Sequence, residues 1–199
     1  MSTAMHQLNI ELAAVVEKAK RSLVQVRNGR RGAGAGTIWH PDGLIVTNSH
    51  VASDNHLRIV LHDGTAFPAR ILASDPERDL AALMVEATGL PTIEVGNSRE
   101  LKPGQLVLAI GHPWGILGAV GTGVVIGVGS DLPGLPQHRR DWVVASLRLR
   151  PGHSGGPLLD VQGRLVGINT MITGPSRGLA VPVDAAKAFL REAVGALKA

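Results

Sequence analysis

The sequence predicts an all-β domain with a helix at each end, and three observations carry that expectation. From Ser22 onward, short runs rich in Val, Ile and Leu replace helical spacing. Glycine-bearing turn clusters punctuate them, at Pro41-Asp42-Gly43, His62-Asp63-Gly64-Thr65 and Gln162-Gly163, where a positive φ is expected. Helical spacing is confined to the two ends of the chain.

Taken in order, residues 5–20 read as an amphipathic helix. Leu8, Leu12, Val15, Val16 and Ala19 share one face, with Glu11, Glu17, Lys18 and Lys20 elsewhere on the wheel. Strands are expected at 22–28, 33–39, 43–47, 57–61, 66–73, 80–86, 106–111, 118–128, 141–147, 164–171 and 177–181. Residues 87–105, with Gly89, Pro91, Gly96, Asn97, Pro103 and Gly104, read as the crossing between two halves. Asp184 is expected to cap a final helix that turns Ala185, Ala188, Phe189, Val194 and Leu197 inward.

Bulk properties exclude several classes. A chain of 199 residues with 44% hydrophobic but only 3% aromatic content and no tyrosine needs an aliphatic core. The absence of cysteine rules out a disulfide framework and fits a cytoplasmic protein. No apolar run approaches the ~18 residues that span a bilayer, so membrane insertion is not expected. Met1-Ser2-Thr3-Ala4-Met5-His6-Gln7 lacks the layout of a signal peptide, and the expected location is cytoplasmic, or periplasmic or secreted if the N-terminus has been processed. Net charge is +4, with Arg27, Arg30 and Arg31 near one end of the first strand and His138, Arg139 and Arg140 in a later loop. No aromatic residues interleave these charges for base stacking, so they read as solvated loop charge and no nucleic acid is expected. Gly32-Ala33-Gly34-Ala35-Gly36 lacks the GxGxxG spacing and leads into a strand, against a dinucleotide site. No metal-ligand spacing such as HExxH appears, and neither metal nor cofactor is expected.

The chemistry centres on Arg150-Pro151-Gly152-His153-Ser154-Gly155-Gly156-Pro157-Leu158-Leu159. Glycines let backbone approach a substrate closely and turn N–H groups toward a developing oxyanion. A serine becomes a nucleophile only with a base, and the base needs an orienting acid. Val46-Thr47-Asn48-Ser49-His50-Val51 and Asp75-Pro76-Glu77-Arg78-Asp79-Leu80-Ala81-Ala82-Leu83 can supply these. Gly152-x-Ser154-x-Gly156 also fits a nucleophile elbow, whose base follows the serine, yet no histidine occurs after His153. An order with the acid first would rely on Asp42, which lies in a turn. The order His, Asp, Ser remains.

At this point the chain resembles the HtrA/Deg branch of the chymotrypsin-like serine proteases. The likeness rests on Thr47-Asn48-Ser49-His50-Val51, Asp79-Leu80-Ala81-Ala82-Leu83, Ile110-Gly111-His112-Pro113-Trp114-Gly115, Pro151-Gly152-His153-Ser154-Gly155-Gly156-Pro157-Leu158, Val166-Gly167-Ile168-Asn169-Thr170 and Gly178-Leu179-Ala180-Val181-Pro182. These lie in the family's order across residues 22–182. The resemblance implies two six-stranded antiparallel β-barrels, at 22–96 and 97–182, between an N-terminal helix at 1–21 and a C-terminal helix at 183–199. It also implies a glycine-rich strand packed closely inside the first barrel.

By resemblance His50 is the general base, Asp79 its orienting acid and Ser154 the nucleophile, with the N–H groups of Gly152 and Ser154 as oxyanion hole. Of Asp54, Asp63, Asp75, Asp79, Asp131 and Asp141, Asp79 alone immediately precedes an apolar run of the family's type. Thr170 is expected to give Asp79 a second hydrogen bond. The substrate pocket is expected to use Leu149, Thr170, Met171, Ile172, Leu179 and Val181, favouring a small or medium aliphatic residue before the scissile bond. Arg148 and Arg150 depart from the family's small or amide residues, and an Arg148 turned into the pocket would select an acidic residue instead.

His153 stands where the branch usually has asparagine and trypsin-type enzymes have aspartate. It either tunes the oxyanion loop near neutral pH or turns outward. The implied activity is endoproteolysis of unfolded or flexible polypeptides through an acyl-enzyme. The alternative is a catalytically silent, chaperone-like binding protein on the same fold. Relatives are commonly trimeric, which makes a homotrimer the default, and the chain ends where many relatives continue into a PDZ domain.

Overall fold

The structure, a computed structural model, describes residues 3–29, 33–53, 56–133, 135, 140–174 and 176–196. Of the residues singled out above, Arg30, Arg31, Gly32, Asp54, His138, Arg139 and Leu197, with the side chain of Val194, lie outside that set.

Helix α1 (Thr3–Lys20) begins slightly before its expected start. Its apolar stripe behaves as the spacing requires. Leu12, Val15 and Val16 pack on the central core and Ala19 is buried, while Glu11, Glu17 and Lys18 stay exposed.

The next strands are β1 (Leu23–Asn28), β2 (Ala33–His40), β3 (Leu44–Thr47), β4 (Leu57–Val60), β5 (Ala66–Asp75) and β6 (Leu80–Val85). They close into a barrel in the order β1-β2-β3-β6-β5-β4. A second barrel, ordered β10-β11-β12-β9-β8-β7, is made by β7 (Leu106–Gly111), β8 (Ala119–Gly129), β9 (Trp142–Ala145), β10 (Pro157–Asp160), β11 (Leu165–Ile172) and β12 (Gly178–Pro182). Every strand pairing within the barrels is antiparallel. The turn glycines Gly43, Gly64 and Gly163 have φ of 92°, 88° and 81°.

Strand β10 was not expected from the sequence. It is only four residues long, buried along its whole length, and starts directly after the glycines that follow Ser154. Its opening proline and the preceding glycines read as a turn rather than as the start of a strand.

Period-two alternation explains how two barrels share one core. Along β6, Ala81, Leu83 and Val85 fill the first barrel, whereas Leu80 and Ala82 face a cluster between the barrels. Along β7, Val107 and Ala109 fill the second barrel, and Leu108 and Ile110 face the same central cluster. The core is aliphatic as expected except at Trp142 and Phe189, both buried in that junction.

Helix α2 (Val183–Ala196) covers the junction with Ala186, Phe189 and Leu190. Ala185 and Ala188 are only half-buried. Asp184 is not the cap ahead of this helix: it lies inside the first turn, where its carboxylate accepts from the backbone N–H (2.9 Å) and hydroxyl (2.7 Å) of Ser98. It thereby ties α2 to the connection between the barrels. Among the described residues no helix is long and apolar enough to cross a membrane.

Candidate active site

Three loops meet at the barrel junction. The first follows β3 and carries His50; the second joins β5 to β6 and carries Asp79; the third joins β9 to β10 and carries Ser154.

Asp79 is buried and has a left-handed φ of 54°, uncommon for any residue but glycine. Neighbouring groups hold it there. The Asn48 side-chain amide donates to the Asp79 carbonyl at 2.9 Å. Its carboxylate accepts from His50 Nδ1 at 2.9 and 3.0 Å, from the Ser49 hydroxyl at 3.0 Å and from the Thr170 hydroxyl at 2.5 Å. The preceding residue, Arg78, bonds both Asp75 and Glu192, which fixes the β5–β6 turn and links it to α2.

Burial acts to raise the pKa of Asp79, but the bonds from His50 and Thr170 and the His50 charge outweigh it. The carboxyl is held below its ordinary 3.8 and stays ionised. Its two-point contact with Nδ1 fixes the imidazole with Nε2 free to accept a proton. The His50 side chain is half exposed, at the edge of a cleft of about 660 Å³ that Asp79, Arg140, Thr170 and Met171 also line.

The serine loop is built by backbone geometry. Arg150 C=O accepts from His153 N–H at 2.9 Å, with Pro151 and Gly152 (φ 102°) between them. Proline then glycine of positive φ at the two central positions is the signature of a type II turn. A Cβ at Gly152 would lie 2.5 Å from the His112 carbonyl oxygen, so only glycine fits. Next in the chain, Ser154 C=O accepts from Ala35 N–H at 2.8 Å, and Gly155 N–H donates to Asn169 C=O at 2.8 Å. A Cβ at Gly155 would fall 2.1 Å from both the Ala35 carbonyl oxygen and Thr47 Oγ1. The loop from the second barrel is therefore keyed into β2 and β3 of the first, and glycine-rich β2 is packed as closely as expected.

The Ser154 hydroxyl donates to the Thr170 carbonyl at 2.8 Å, and among the described residues it has no hydrogen bond to His50. The N–H groups of Gly152 and Ser154 have no acceptor among the described residues, as an oxyanion site requires.

His153 does not turn outward, one of the two options the sequence left open. It is 4% exposed, and its Nδ1 lies 3.1 Å from Arg150 N–H, which donates to it. Nδ1 also lies 3.2 Å from the Arg150 carbonyl oxygen, so it faces both a donor and an acceptor of Arg150, and burial lowers the ring's pKa from the ordinary 6.5. His112, also buried, donates its backbone N–H to Gly152 C=O at 2.8 Å, and burial lowers its pKa as well.

The expected pocket residues divide. Leu149 packs within the second barrel's own core and touches the position of Gly178, where a Cβ would meet it at 3.1 Å. Leu179 and Val181 face the junction cluster instead, because alternate strand residues point to opposite sides. Thr170 commits its hydroxyl to Asp79, Met171 lines the cleft, and Ile172 and Arg148 are exposed.

Sequence reading missed the part played by Arg140. Expected as solvated charge, it is half-buried, its guanidinium carbon 4.0 Å from the Trp142 ring centroid, and it donates to the Glu77 carbonyl beside Asp79. Asn48 and Ser49 stood inside the histidine motif, but only the fold reveals that both serve Asp79.

With this geometry in place, comparison with known proteins is informative. The sequence profile of the trypsin-like peptidase domain matches residues 34–168. A probable periplasmic DegP-like serine endoprotease of Chlamydia pneumoniae is 38% identical over 146 residues, covering 73% of this chain and 30% of that protein. Protease Do-like 1, chloroplastic, of Arabidopsis thaliana is 41% identical over 77% of this chain and 37% of its own length. Serine protease HTRA1 of Xenopus laevis is 35% identical over 91% of this chain and 42% of its own length. The chain thus spans less than half of each of these relatives. A solved structure of the HtrA-type protease AlgW with tripeptide superposes with a TM-score of 0.84 at 30% identity, over 90% of this chain and 62% of that one.

Proposed function

The chain belongs to the trypsin-like peptidase family, in its HtrA branch, and from that premise we propose that it is a serine endopeptidase acting on unfolded or flexible polypeptides. The single observation that carries the reading is the two-point contact between His50 Nδ1 and the buried Asp79 carboxylate, at 2.9 and 3.0 Å, in the cleft beside the Ser154 turn.

In the proposed cycle, the Ser154 hydroxyl leaves the Thr170 carbonyl by rotating about χ1 and gives its proton to His50 Nε2 as Oγ attacks the peptide carbonyl. Catalytic hydrogen bonds are often formed only once substrate is bound. The Gly152 and Ser154 N–H groups receive the oxyanion, and the His50 imidazolium, stabilised by Asp79, returns the proton to the leaving amine. Water activated by the same histidine then hydrolyses the ester at Ser154. Met171, which lines the cleft beside His50, supports a small or medium aliphatic residue before the scissile bond.

The Ser154–Thr170 bond favours one other reading, a protein of this fold that binds chains without cutting them. A fluorophosphonate probe separates the two. Labelling of wild type and none of Ser154→Ala supports the enzyme, and no labelling under any condition overturns it. A cleavage-site profile on denatured protein tests the aliphatic preference, which dominance of Asp or Glu before the cut would overturn. Light scattering tests the expected trimer, and cell fractionation tests a cytoplasmic location against the periplasmic one in the Chlamydia relative's name.

A further inference from the structure

The outer face of the first barrel carries charge that the fold itself does not use. Val24 and Val26 of β1, Leu57 and Ile59 of β4, and Phe67 and Ala69 of β5 pack inside the barrel. Alternation therefore sends Arg27, Arg58 and Pro68 outward in one cross-strand row. Arg27 stands directly opposite Arg58, and like charges in that relation are destabilising. No acid completes the row, because the residue on the other side of Arg58 is Pro68. Arg27 donates from Nε to Gln25 Oε1 at 2.7 Å. Among the described residues Arg58 has neither a hydrogen bond nor an ion pair. Two exposed arginines kept side by side without a counter-charge suit an anionic partner.

The neighbouring row opens into a cavity. Gln25, Val60 and Ala66 follow outward on the same three strands, and with Arg27 they line a pocket of about 420 Å³. Leu23 and Leu117 complete its apolar wall. That volume lies in the range of binding pockets and accommodates one large apolar side chain. Lys20, at the end of α1, closes one side. Its stem packs on Gly118, where a Cβ would meet it at 3.0 Å, and its ammonium bonds Glu17 at 2.6 Å. Asp63 is the one acid lining the pocket among the described residues, and its carboxylate accepts from Thr65 N–H at 2.9 Å. No residue of this pocket lines the cleft at His50. His112 lines it, however, and also bonds Gly152 C=O, so a few residues of extended chain span the distance from Ser154.

We propose, on the endopeptidase reading, that this face is an exosite for an acidic segment of the substrate remote from the cut. One apolar side chain of that segment fills the pocket, and carboxylates beside it pair with Arg27 and Arg58. A flexible polypeptide held there presents its cleavable bond to Ser154 at a raised effective concentration. The cost of setting Arg27 against Arg58 is then offset when the acidic segment binds.

The test uses a short cleavable peptide, alone or joined at either end through a flexible linker to an extension of Asp, Glu and one Leu. A second extension carries Lys in place of the acids. With wild type, the acidic extension at one end should lower KM about tenfold relative to the Lys extension, with kcat unchanged. Added salt should shrink the difference. Arg58→Glu, and Ala66→Glu at the pocket's edge, should each abolish it while cutting the short peptide as wild type does. The Tm of Arg58→Glu should not fall, since it replaces a like-charge pair by an opposite one; an arginine placed for stability would behave oppositely. Equal KM values for the two extensions, in a wild type that labels with fluorophosphonate and cuts, overturn the exosite alone. So does an acidic advantage that survives both substitutions. If the acidic extension added as a separate peptide speeds cleavage of the short one, the face serves an effector and the substrate exosite is overturned. A wild type that neither labels nor cuts overturns the endopeptidase reading and the exosite with it.

Discussion

Asp79 and Trp114 are the two non-glycine residues with left-handed backbone among the described residues, at φ 54° and 55°, and their surroundings are opposite. Asp79 is 6% exposed and is held by Asn48 at its carbonyl and by Ser49, His50 and Thr170 at its carboxylate. Trp114 is 76% exposed, and the Arg150 guanidinium carbon lies 6.0 Å from its ring centroid. In the first case the fold over-determines a strained residue and uses it to aim a charge. In the second, the backbone of a tight turn is fixed while the side chain is left to solvent. Strain alone therefore does not identify a function, and the direction in which the side chain is satisfied does.

The contrast is tested most severely at Asp79. Asp79→Asn should lower kcat by ~10³–10⁴-fold with the fold intact, because an amide cannot keep His50 in the productive tautomer. Kinetics alongside circular dichroism check this. Asn48→Ala should destabilise by about 1–3 kcal/mol, since it leaves the buried Asp79 carbonyl unpaired; urea denaturation reads it directly.

Thr170→Val removes one donor to Asp79, and kcat/KM should fall about tenfold. Its acid response follows from the sign of the Asp79 shift. The folded pKa lies below 3.8, so the carboxylate's contribution to stability is complete above that value and is lost as pH falls through the folded pKa. Thr170→Val should move that loss to higher pH.

His153 gives a smaller effect in another window. Its folded pKa is below 6.5, so the unfolded chain binds more protons and stability declines as pH drops below about 6.5. His153→Asn should flatten part of that slope, with His112 responsible for the remainder. Urea midpoints at pH 5 and 7.5 measure it, and an unchanged slope would exclude His153 as a titrating element of the turn. Smallest of all, Trp114→Gly should leave stability unchanged or raise it by about 1 kcal/mol or less.

The proposed triad could be read from the sequence because its candidates sit in short segments whose order along the chain admits one mechanism. Strand boundaries were legible where burial alternated, as along β8, and where a Val- or Leu-bearing run stood between turn signals, as at β9 and β12. They failed at β10, a four-residue strand that begins with proline directly after the glycine-rich serine loop. Side-chain partners across the junction were out of reach. Nothing local reveals that Asn48 serves the Asp79 carbonyl, that Asp184 bonds Ser98, or that Arg140 stacks on Trp142. His153 was ambiguous for the same reason, because its burial depends on how the turn from Arg150 folds back.

The keyed fit at Gly155 sets a schedule for the molecule. His50 and Asp79 lie in the half of the chain that leaves the ribosome first, and Ser154 follows more than seventy positions after Asp79. Its backbone is seated on Ala35 and Thr47, residues of the earlier half. A nascent chain can thus hold His50 and Asp79 before Ser154 is made. Under the proposed mechanism the hydroxyl reaches the cleft only when the late segment docks on the early one, so the nascent molecule would stay disarmed until its own folding is finished.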